Sequence, residues 1–168
     1  PVFFRLLYSS GMRTTEAILL ERDDVNLENG VVSIKRGKGY DQHYAVLHDT
    51  MLDLMRTYDG RMDELVPKRR VFFPTPDDKP HPPAWVTYHF RVLWQSCNSS
   101  HAIPYELRHN YAIENINSWT HQGFAVHDKL LALSKSMGHR QIGSTLAYYS
   151  LTPAISDIMA CTDNEINQ

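Results

Sequence analysis

Cationic side chains occur in this sequence at positions where turns and helix ends would present them. Arg13 stands between Gly11 and the expected start of a helix, where its guanidinium can join free backbone N–H groups in binding an anion. Lys38 lies between Gly37 and Gly39 at the tip of a predicted hairpin, an exposed position from which it can reach a partner. These two positions indicate a site for a negatively charged group.

Three further side chains that could do chemistry lie in the second half of the chain. Arg108 falls one turn into a predicted helix, His139 lies at a junction between two helices, and Tyr148 follows nine residues later. Each alone has an ordinary structural explanation: an ion pair of Arg108 with Glu106 or Glu114, a helix-terminal histidine, or a half-buried core tyrosine. Only their order and spacing, taken together, favour chemistry.

Hydrophobic periodicity and turn residues predict the elements that carry these groups. We expect a mostly α-helical domain with a small antiparallel β-sheet, an α+β fold. Predicted strands over 31–35 and 43–47 form a hairpin around the glycine-punctuated segment 36–41, and Val71-Phe72-Phe73 is a further short strand. The predicted helices cover residues 2–10, 16–21, about 50–60, 83–98, 104–118, 124–137 and 142–150, with a last one from Thr152.

Capping residues and apolar spacing refine several of these helices. Gly11 ends the first helix, Thr14 or Thr15 caps the second, and Asp49 caps the helix over about 50–60. The helix over 83–98 is expected to bury four side chains: Trp85, Phe90, Leu93 and Trp94.

Composition limits the class of protein. The chain has 168 residues, is 42% hydrophobic and 21% charged, and has no apolar run near the roughly 20 residues that a membrane span needs. Two cysteines, Cys97 and Cys161, cannot form a disulfide framework or a zinc site, and the histidines lack metal-ligand spacing. The formal charge of −2 argues mildly against a nucleic-acid binder. The last 18 residues hold three acidic and no basic side chains, so the first 150 residues have 17 basic and 16 acidic side chains, a net charge of +1.

Four stretches carry a resemblance to one enzyme family. They are Leu7–Glu16 (LYSSGMRTTE), Arg36–Gly39 (RGKG), Leu107–Ala112 (LRHNYA), and Met137–His139 (MGH) followed by Thr145 and Tyr148. Together they cover about residues 4–150 in the family's order. The chain resembles the catalytic domain of the tyrosine recombinases, also called phage integrases.

The resemblance implies an enzyme that cuts and rejoins DNA through a 3′-phosphotyrosyl intermediate. Arg13 and Arg108 would stabilise charge on the non-bridging phosphate oxygens, because guanidiniums are rigid bidentate donors. Lys38 would protonate the leaving 5′-oxygen and His139 would hydrogen-bond the phosphate. Tyr148 would be the nucleophile. No metal and no cofactor is implied, because the energy of the phosphate bond stays in the covalent link.

One position departs from the family pattern. Tyr105 stands where the family most often has a histidine, three residues before the second arginine. Its phenol can donate a hydrogen bond to phosphate but is a poor base near neutral pH. Tyr149 competes with Tyr148 for the role of nucleophile, since adjacent helical residues point about 100° apart, and the spacing from His139 favours Tyr148.

Neighbouring residues are assigned supporting roles. Glu16 is expected to orient Arg13 or cap its helix, His109 to pack behind Arg108, and Thr145 to support either the helix or the phosphate site. Basic side chains that could meet flanking phosphates, or simply be solvated, are Lys35, Arg36, Lys68, Arg69 and Arg70.

Residues 1–150 are assigned to the catalytic domain, and 151–168 to a C-terminal helix or tail that is exchanged between subunits, folds back or is disordered. Because Pro1 leads straight into an apolar segment, we expect a fragment that lacks an N-terminal core-binding domain and the first part of the catalytic domain.

The resemblance implies double-stranded DNA and further recombinase subunits as partners, in a tetramer on paired sites, with no membrane. The expected location is cytoplasmic, on the DNA of a bacterium, phage or mobile element.

Two alternatives stay open. One is a recombinase-derived DNA-binding module with weakened catalysis, towards which Tyr105 points. The other is a DNA-relaxing enzyme of the type IB topoisomerase kind, with the same nucleophile chemistry.

Overall fold

Seven helices and three strands are seen in a computed structural model, which describes residues 1–35, 42–119, 126–139 and 141–149. The expected mostly helical α+β fold is confirmed. The helices are α1 (Val2–Ser10), α2 (Thr14–Ile18), α3 (Asp49–Leu65), α4 (Pro83–Gln95), α5 (Glu106–Asn117), α6 (Val126–Ser136) and α7 (Gly143–Tyr149). The strands are β1 (Val25–Asn26), β2 (Val31–Ile34) and β3 (His43–Val46), and a 3-10 turn spans Arg22–Asp24.

The sheet is antiparallel, in the order β1-β2-β3. Strands β2 and β3 confirm the predicted pair, with Val32 opposite Ala45 and both side chains buried. The prediction of a strand at Val71-Phe72-Phe73 is wrong, because Val71 makes one isolated bridge to Glu21. The 3-10 turn that follows Glu21 ends this pairing after a single step.

Two hydrophobic clusters organise the helices. Helix α1 runs through the larger one, where Leu6 and Leu7 are fully buried among residues of the sheet and of α3. The second cluster joins α5, α6 and α7 through buried residues: Ala112, Ile116, Leu130, Leu133, Met137 and Tyr148. The predicted nucleophile thus lies in a small cluster beside the main core.

Helix boundaries differ from prediction where caps were misassigned. Helix α2 begins at Thr14 with Arg13 at its N-cap, rather than at Glu16 with a threonine cap. In α3 the cap is His48, whose Nδ1 accepts from the Thr50 backbone N–H at 3.3 Å. Asp49 is the first helical residue, and the helix extends to residue 65.

Helix α4 buries fewer of its side chains than predicted. Val86 and Phe90 are its buried side chains, Trp85 and Trp94 are half-buried, and Leu93 is 47% exposed. Leu93 shares the face of Val86 but lies two turns farther along, beyond the main cluster that Val86 contacts. The prediction of burial at Leu93 is therefore wrong. None of the helices in the described ranges is long and apolar enough to cross a bilayer.

Gly11 ends α1 in a left-handed conformation with φ of 65°. A Cβ at this position would overlap the Tyr111 ring. We expect Gly11→Ala to lower the free energy of unfolding by at least about 1–2 kcal/mol, measured by urea titration. Gly60→Ala is the matched control: a Cβ there meets nothing within 4 Å, and alanine should raise stability by about 0.5–1 kcal/mol in α3. Equal effects of the two changes would contradict the prediction.

Candidate active site

Arg108 is the centre of the site and is 2% exposed. Its Nη1 donates to the Gly11 carbonyl at 2.5 Å, and its Nη2 donates to the Met137 carbonyl at 2.8 Å. The guanidinium therefore ties the end of α1 to the end of α6. Among the described residues no carboxylate forms an ion pair with it, and its Nε has no hydrogen-bond partner. Burial, followed by the nearby charge of Arg13, lowers the pKa of Arg108, so the site holds a cation that is costly to bury.

His139 bonds to Arg108 on one side and to Thr145 on the other. The Nε2 atom lies 2.9 Å from Arg108 Nη2, and Nδ1 lies 2.7 Å from Thr145 Oγ1. Because a guanidinium can only donate, Nε2 must accept, so the ring proton is on Nδ1 and is donated to Thr145. Burial, and then the charges of Arg108 and Arg13, lower the pKa of His139 to about 4. The imidazole is thus neutral in this arrangement.

Arg13 reaches the same turn from the other side. Its Nη2 donates to the Gly138 carbonyl at 3.3 Å, and its Nη1 pairs with Glu16 Oε1 at 2.6 Å. Glu16 Oε2 also accepts the Arg13 backbone N–H at 2.6 Å. Glu16 therefore both caps α2 and orients the guanidinium, the two roles expected for it.

Tyr148 is buried beside both histidines of the site. Its ring stacks on that of His139 with 6.3 Å between centroids, and the His109 ring meets it edge-on at 5.2 Å. Burial raises the pKa of the Tyr148 phenol; the Tyr105 phenol acts in the same direction, and the Arg108 guanidinium opposes it. The phenol is therefore protonated near neutral pH.

Tyr105 lies at the edge of this group, at the N-cap of α5. It is 42% exposed, and its ring contacts that of His109 at 4.7 Å. The His109 ring thus contacts the rings of both Tyr105 and Tyr148.

The structure brings together Arg13, Arg108, His139 and Tyr148, with Tyr105 at the rim. Lys38 and Arg36 lie outside the described residues, as does the predicted C-terminal helix from Thr152. In the ranges that are described, no three His, Cys, Asp or Glu side chains form a group that could hold a metal ion.

Arg69, expected as a possible DNA contact, is 3% exposed. Its guanidinium bonds to the carboxylates of Asp59 and Asp63 on α3, and Arg22 binds the same two carboxylates. This guanidinium is occupied in a buried ion-pair cluster and is not presented at the surface.

The other described basic residues of that group are at the surface. The side chains of Lys35 and Arg70 both pair with Glu21, and each remains more than half exposed. Lys68 is exposed and has a φ of 61°.

Sequence reasoning missed the backbone acceptors and one histidine. Every residue has a backbone carbonyl, so the Gly11 and Met137 acceptors cannot be recognised from the residue types. His43 is buried on β3 against Gly138, and the signal for it was the strand's alternation, which turns His43 and Ala45 to the same buried face.

A model described as the phage integrase family matches residues 2–154. The chain belongs to the phage integrase family. Its curated relatives include tyrosine recombinase XerD of Staphylococcus haemolyticus, 29% identical over 147 residues that make up 85% of this chain and 47% of the relative. Tyrosine recombinase XerA of Thermococcus kodakarensis is 27% identical over 152 residues, 88% of this chain and 49% of the relative. This family member therefore spans about half the length of the curated relatives it matches.

Solved structures show the same fold. The crystal structure of XerA recombinase superposes with a TM-score of 0.74 at 17% identity, covering 94% of this chain and 55% of that one. The XerH site-specific recombinase, bound to a palindromic difH substrate in a post-cleavage complex, gives a TM-score of 0.72 at 20% identity, covering 95% and 44%. This phage integrase family member thus has the tyrosine recombinase catalytic-domain fold. Family membership favours neither a module without catalysis nor a DNA-relaxing enzyme.

The depressed pKa of His139 makes the stability of this integrase domain depend on pH. Between pH 6.5 and about 4 the unfolded chain binds a proton at this residue that the folded chain does not. Stability should therefore fall as pH drops through that window and be independent of this group above it. We expect His139→Gln to reduce this loss of stability at low pH, measured as the melting temperature against pH. Parallel curves for wild type and variant would contradict the assignment.

Proposed function

We propose that this phage integrase family member is a site-specific DNA recombinase that cuts and rejoins strands through a 3′-phosphotyrosyl intermediate. The observation that carries the proposal is the buried Arg108 guanidinium, which has no described carboxylate partner and lies beside Arg13, His139 and Tyr148. A buried cation of this kind favours an anionic ligand. A phosphodiester is the anion that a neighbouring tyrosine can attack.

In the proposed reaction the Tyr148 hydroxyl oxygen attacks phosphorus in line with the 5′-oxygen. The new bond joins phosphorus to the phenol oxygen, and the bond from phosphorus to the 5′-oxygen breaks. Lys38 gives its proton to the departing oxygen, which becomes a 5′-hydroxyl. Attack by a 5′-hydroxyl on the phosphotyrosine reverses these steps and rejoins a strand, with no external energy source.

The two guanidiniums are proposed to stabilise the charge that gathers on the non-bridging oxygens. Arg108 uses its Nη groups on backbone carbonyls and on His139, so an incoming phosphate competes for donors that are already oriented. His139 Nε2 accepts from Arg108 and cannot donate to phosphate in this tautomer. Its expected hydrogen bond to phosphate therefore requires protonation.

The proton of Tyr148 needs an acceptor, and Tyr105 is a poor one near neutral pH. We propose that Tyr105 donates to a phosphate oxygen, and that His139 Nε2 takes the proton of the nucleophile once the phosphate has drawn the Arg108 donor away from it. A phosphate anion would counter the two arginine charges that, after burial, lower the pKa of His139. The protonated imidazole could then donate to the phosphate.

The proposed partners are double-stranded DNA and further copies of the recombinase in a tetramer on paired sites, with residues 151–168 exchanged between subunits. Lys35, Lys68 and Arg70 remain candidates for contacts to flanking phosphates, whereas Arg69 is occupied by carboxylates. Because the chain is close to neutral overall, we expect its non-specific affinity for DNA to be modest.

A pool of nicked duplexes with randomised sequence tests this function without knowledge of the target. A nick close to the cleaved phosphate lets the short 5′-hydroxyl fragment diffuse away, so the covalent adduct accumulates. We expect an adduct that resists detergent, with its phosphate on the peptide containing Tyr148. No adduct from the pool, or phosphate on a different residue, would overturn the proposal. Sequencing the retained DNA gives the recognised site.

A further inference from the structure

Three contacts of the site meet at one turn, Met137–His139. Arg108 binds the Met137 carbonyl, Arg13 binds the Gly138 carbonyl, and His139 itself bonds to Arg108. Both guanidiniums and the imidazole are therefore placed by the position of this turn. The turn is therefore tied to both arginines by its own carbonyls.

His43 packs directly against the middle of that turn. Gly138 has a φ of 63°, and a Cβ built on it would lie 2.5 Å from His43 Cε1 and 2.6 Å from Nδ1. The imidazole is 6% exposed and occupies the space that a side chain at residue 138 would fill. The close approach of ring to backbone thus depends on both residues.

His43 is also the first residue of β3, the strand that follows the segment 36–41. Lys38, the proposed proton donor, is five positions earlier in the chain. On its other side β3 is paired with β2, where Ile34 is opposite His43. Strand β3 thus lies between β2 and the Met137–His139 turn.

A cavity of about 470 Å³ lies beside this contact, between β3 and the end of α6. Its lining includes Gln42, Tyr44, Lys135 and Ser136, together with His43 and His139. Because this space is open, loss of the imidazole would enlarge it and let β3 shift relative to the turn. A shift of about 1 Å is enough to cost on the order of 10²-fold in rate.

We propose that His43 is a positioning residue that couples strand β3, which follows the segment containing Lys38, to the phosphate-binding turn Met137–His139. The inference rests on the proposed function, since it concerns delivery of a proton to the leaving 5′-oxygen. His43 touches no reacting atom. It sets the distance between β3, which follows the segment containing the acid, and the turn proposed to hold the phosphate.

The test compares two versions of the DNA recovered from the nicked pool, with oxygen or sulfur at the 5′-bridging position. A thiolate leaves without a proton, because a thiol, with a pKa of about 8.5, is a far stronger acid than an alcohol, so the sulfur substrate does not need Lys38. Lys38→Ala should lose on the order of 10²–10⁴-fold on the oxygen substrate and recover on the sulfur substrate. His43→Ala should lose about 10²-fold on oxygen, recover on sulfur, and leave the dissociation constant for DNA unchanged.

Two further variants separate positioning from loss of structure. Val32→Ala removes buried volume from the same sheet and should lower the melting temperature without a selective effect on the oxygen substrate. His43→Phe keeps a ring against Gly138 and should retain most of the rate. The double variant His43→Ala/Lys38→Ala should be no slower than Lys38→Ala, because both changes affect the same step.

The outcomes distinguish this inference from the function on which it rests. An adduct with wild type but equal loss on both substrates for His43→Ala would overturn the coupling to Lys38 and leave the function intact. Wild-type rates in His43→Ala, or a folded His43→Phe as slow as the alanine variant, would also overturn it. No adduct with wild type would overturn both.

Discussion

Replacing Tyr148 by phenylalanine is expected to abolish the covalent protein–DNA adduct, a loss on the order of 10⁴-fold or more in single-turnover cleavage. The substitution removes only the phenol oxygen. The ring contacts with His109 and His139 are retained, so the second hydrophobic cluster should stay intact. Adduct formation is measured on denaturing gels with the nicked duplex, and binding by gel shift on the same DNA.

Tyr149→Phe is the matched control, because it makes the same chemical change one residue along α7. Helix geometry allows only one of two adjacent side chains to face the phosphate. We expect Tyr149→Phe to form the adduct at close to the wild-type rate. An adduct that persists in Tyr148→Phe and disappears in Tyr149→Phe would transfer the role of nucleophile to Tyr149.

Arg108→Lys is expected to slow cleavage at saturating DNA by on the order of 10²–10³-fold. Lysine keeps the positive charge but has no planar fork, so it cannot bridge the Gly11 and Met137 carbonyls as the guanidinium does. His139 also loses the donor to its Nε2. The melting temperature should fall as well, because Arg108 links the end of α1 to the end of α6.

Arg91→Lys is the control for this change, since Arg91 is exposed on α4. It should alter neither the cleavage rate nor the melting temperature. Measuring cleavage well below the melting temperature of Arg108→Lys separates chemistry from unfolding. A folded Arg108→Lys variant that cleaves like wild type would remove Arg108 from transition-state stabilisation.

Periodicity was sufficient for most helices because each buries a stripe of its own residues. Met51 and Met55 of α3 are buried at helical spacing, as predicted from sequence. Strand β1 escaped prediction because two residues are too few to show alternation. The prediction that Leu93 is buried was wrong for a different reason. Leu93 is on the buried face of α4, but it lies beyond the end of the main hydrophobic cluster.

The residue types of the site could be predicted from sequence, but their partners could not. Arg13 and Arg108 are 95 positions apart, and the turn that joins them contributes carbonyls that any sequence would supply. Arg69 looked like a surface cation in its basic run, yet Asp59 and Asp63 on α3 enclose it. Such pairings depend on which helices meet, and single-residue patterns do not encode that.

The burial of the Arg108 guanidinium has a thermodynamic consequence for the protein as a whole. No carboxylate in the described ranges forms an ion pair with this buried guanidinium, so its burial costs stability that function requires. An anion that occupies the site relieves this penalty, and its binding free energy adds to the free energy of unfolding. The DNA phosphate of the proposed reaction would therefore also stabilise the folded domain.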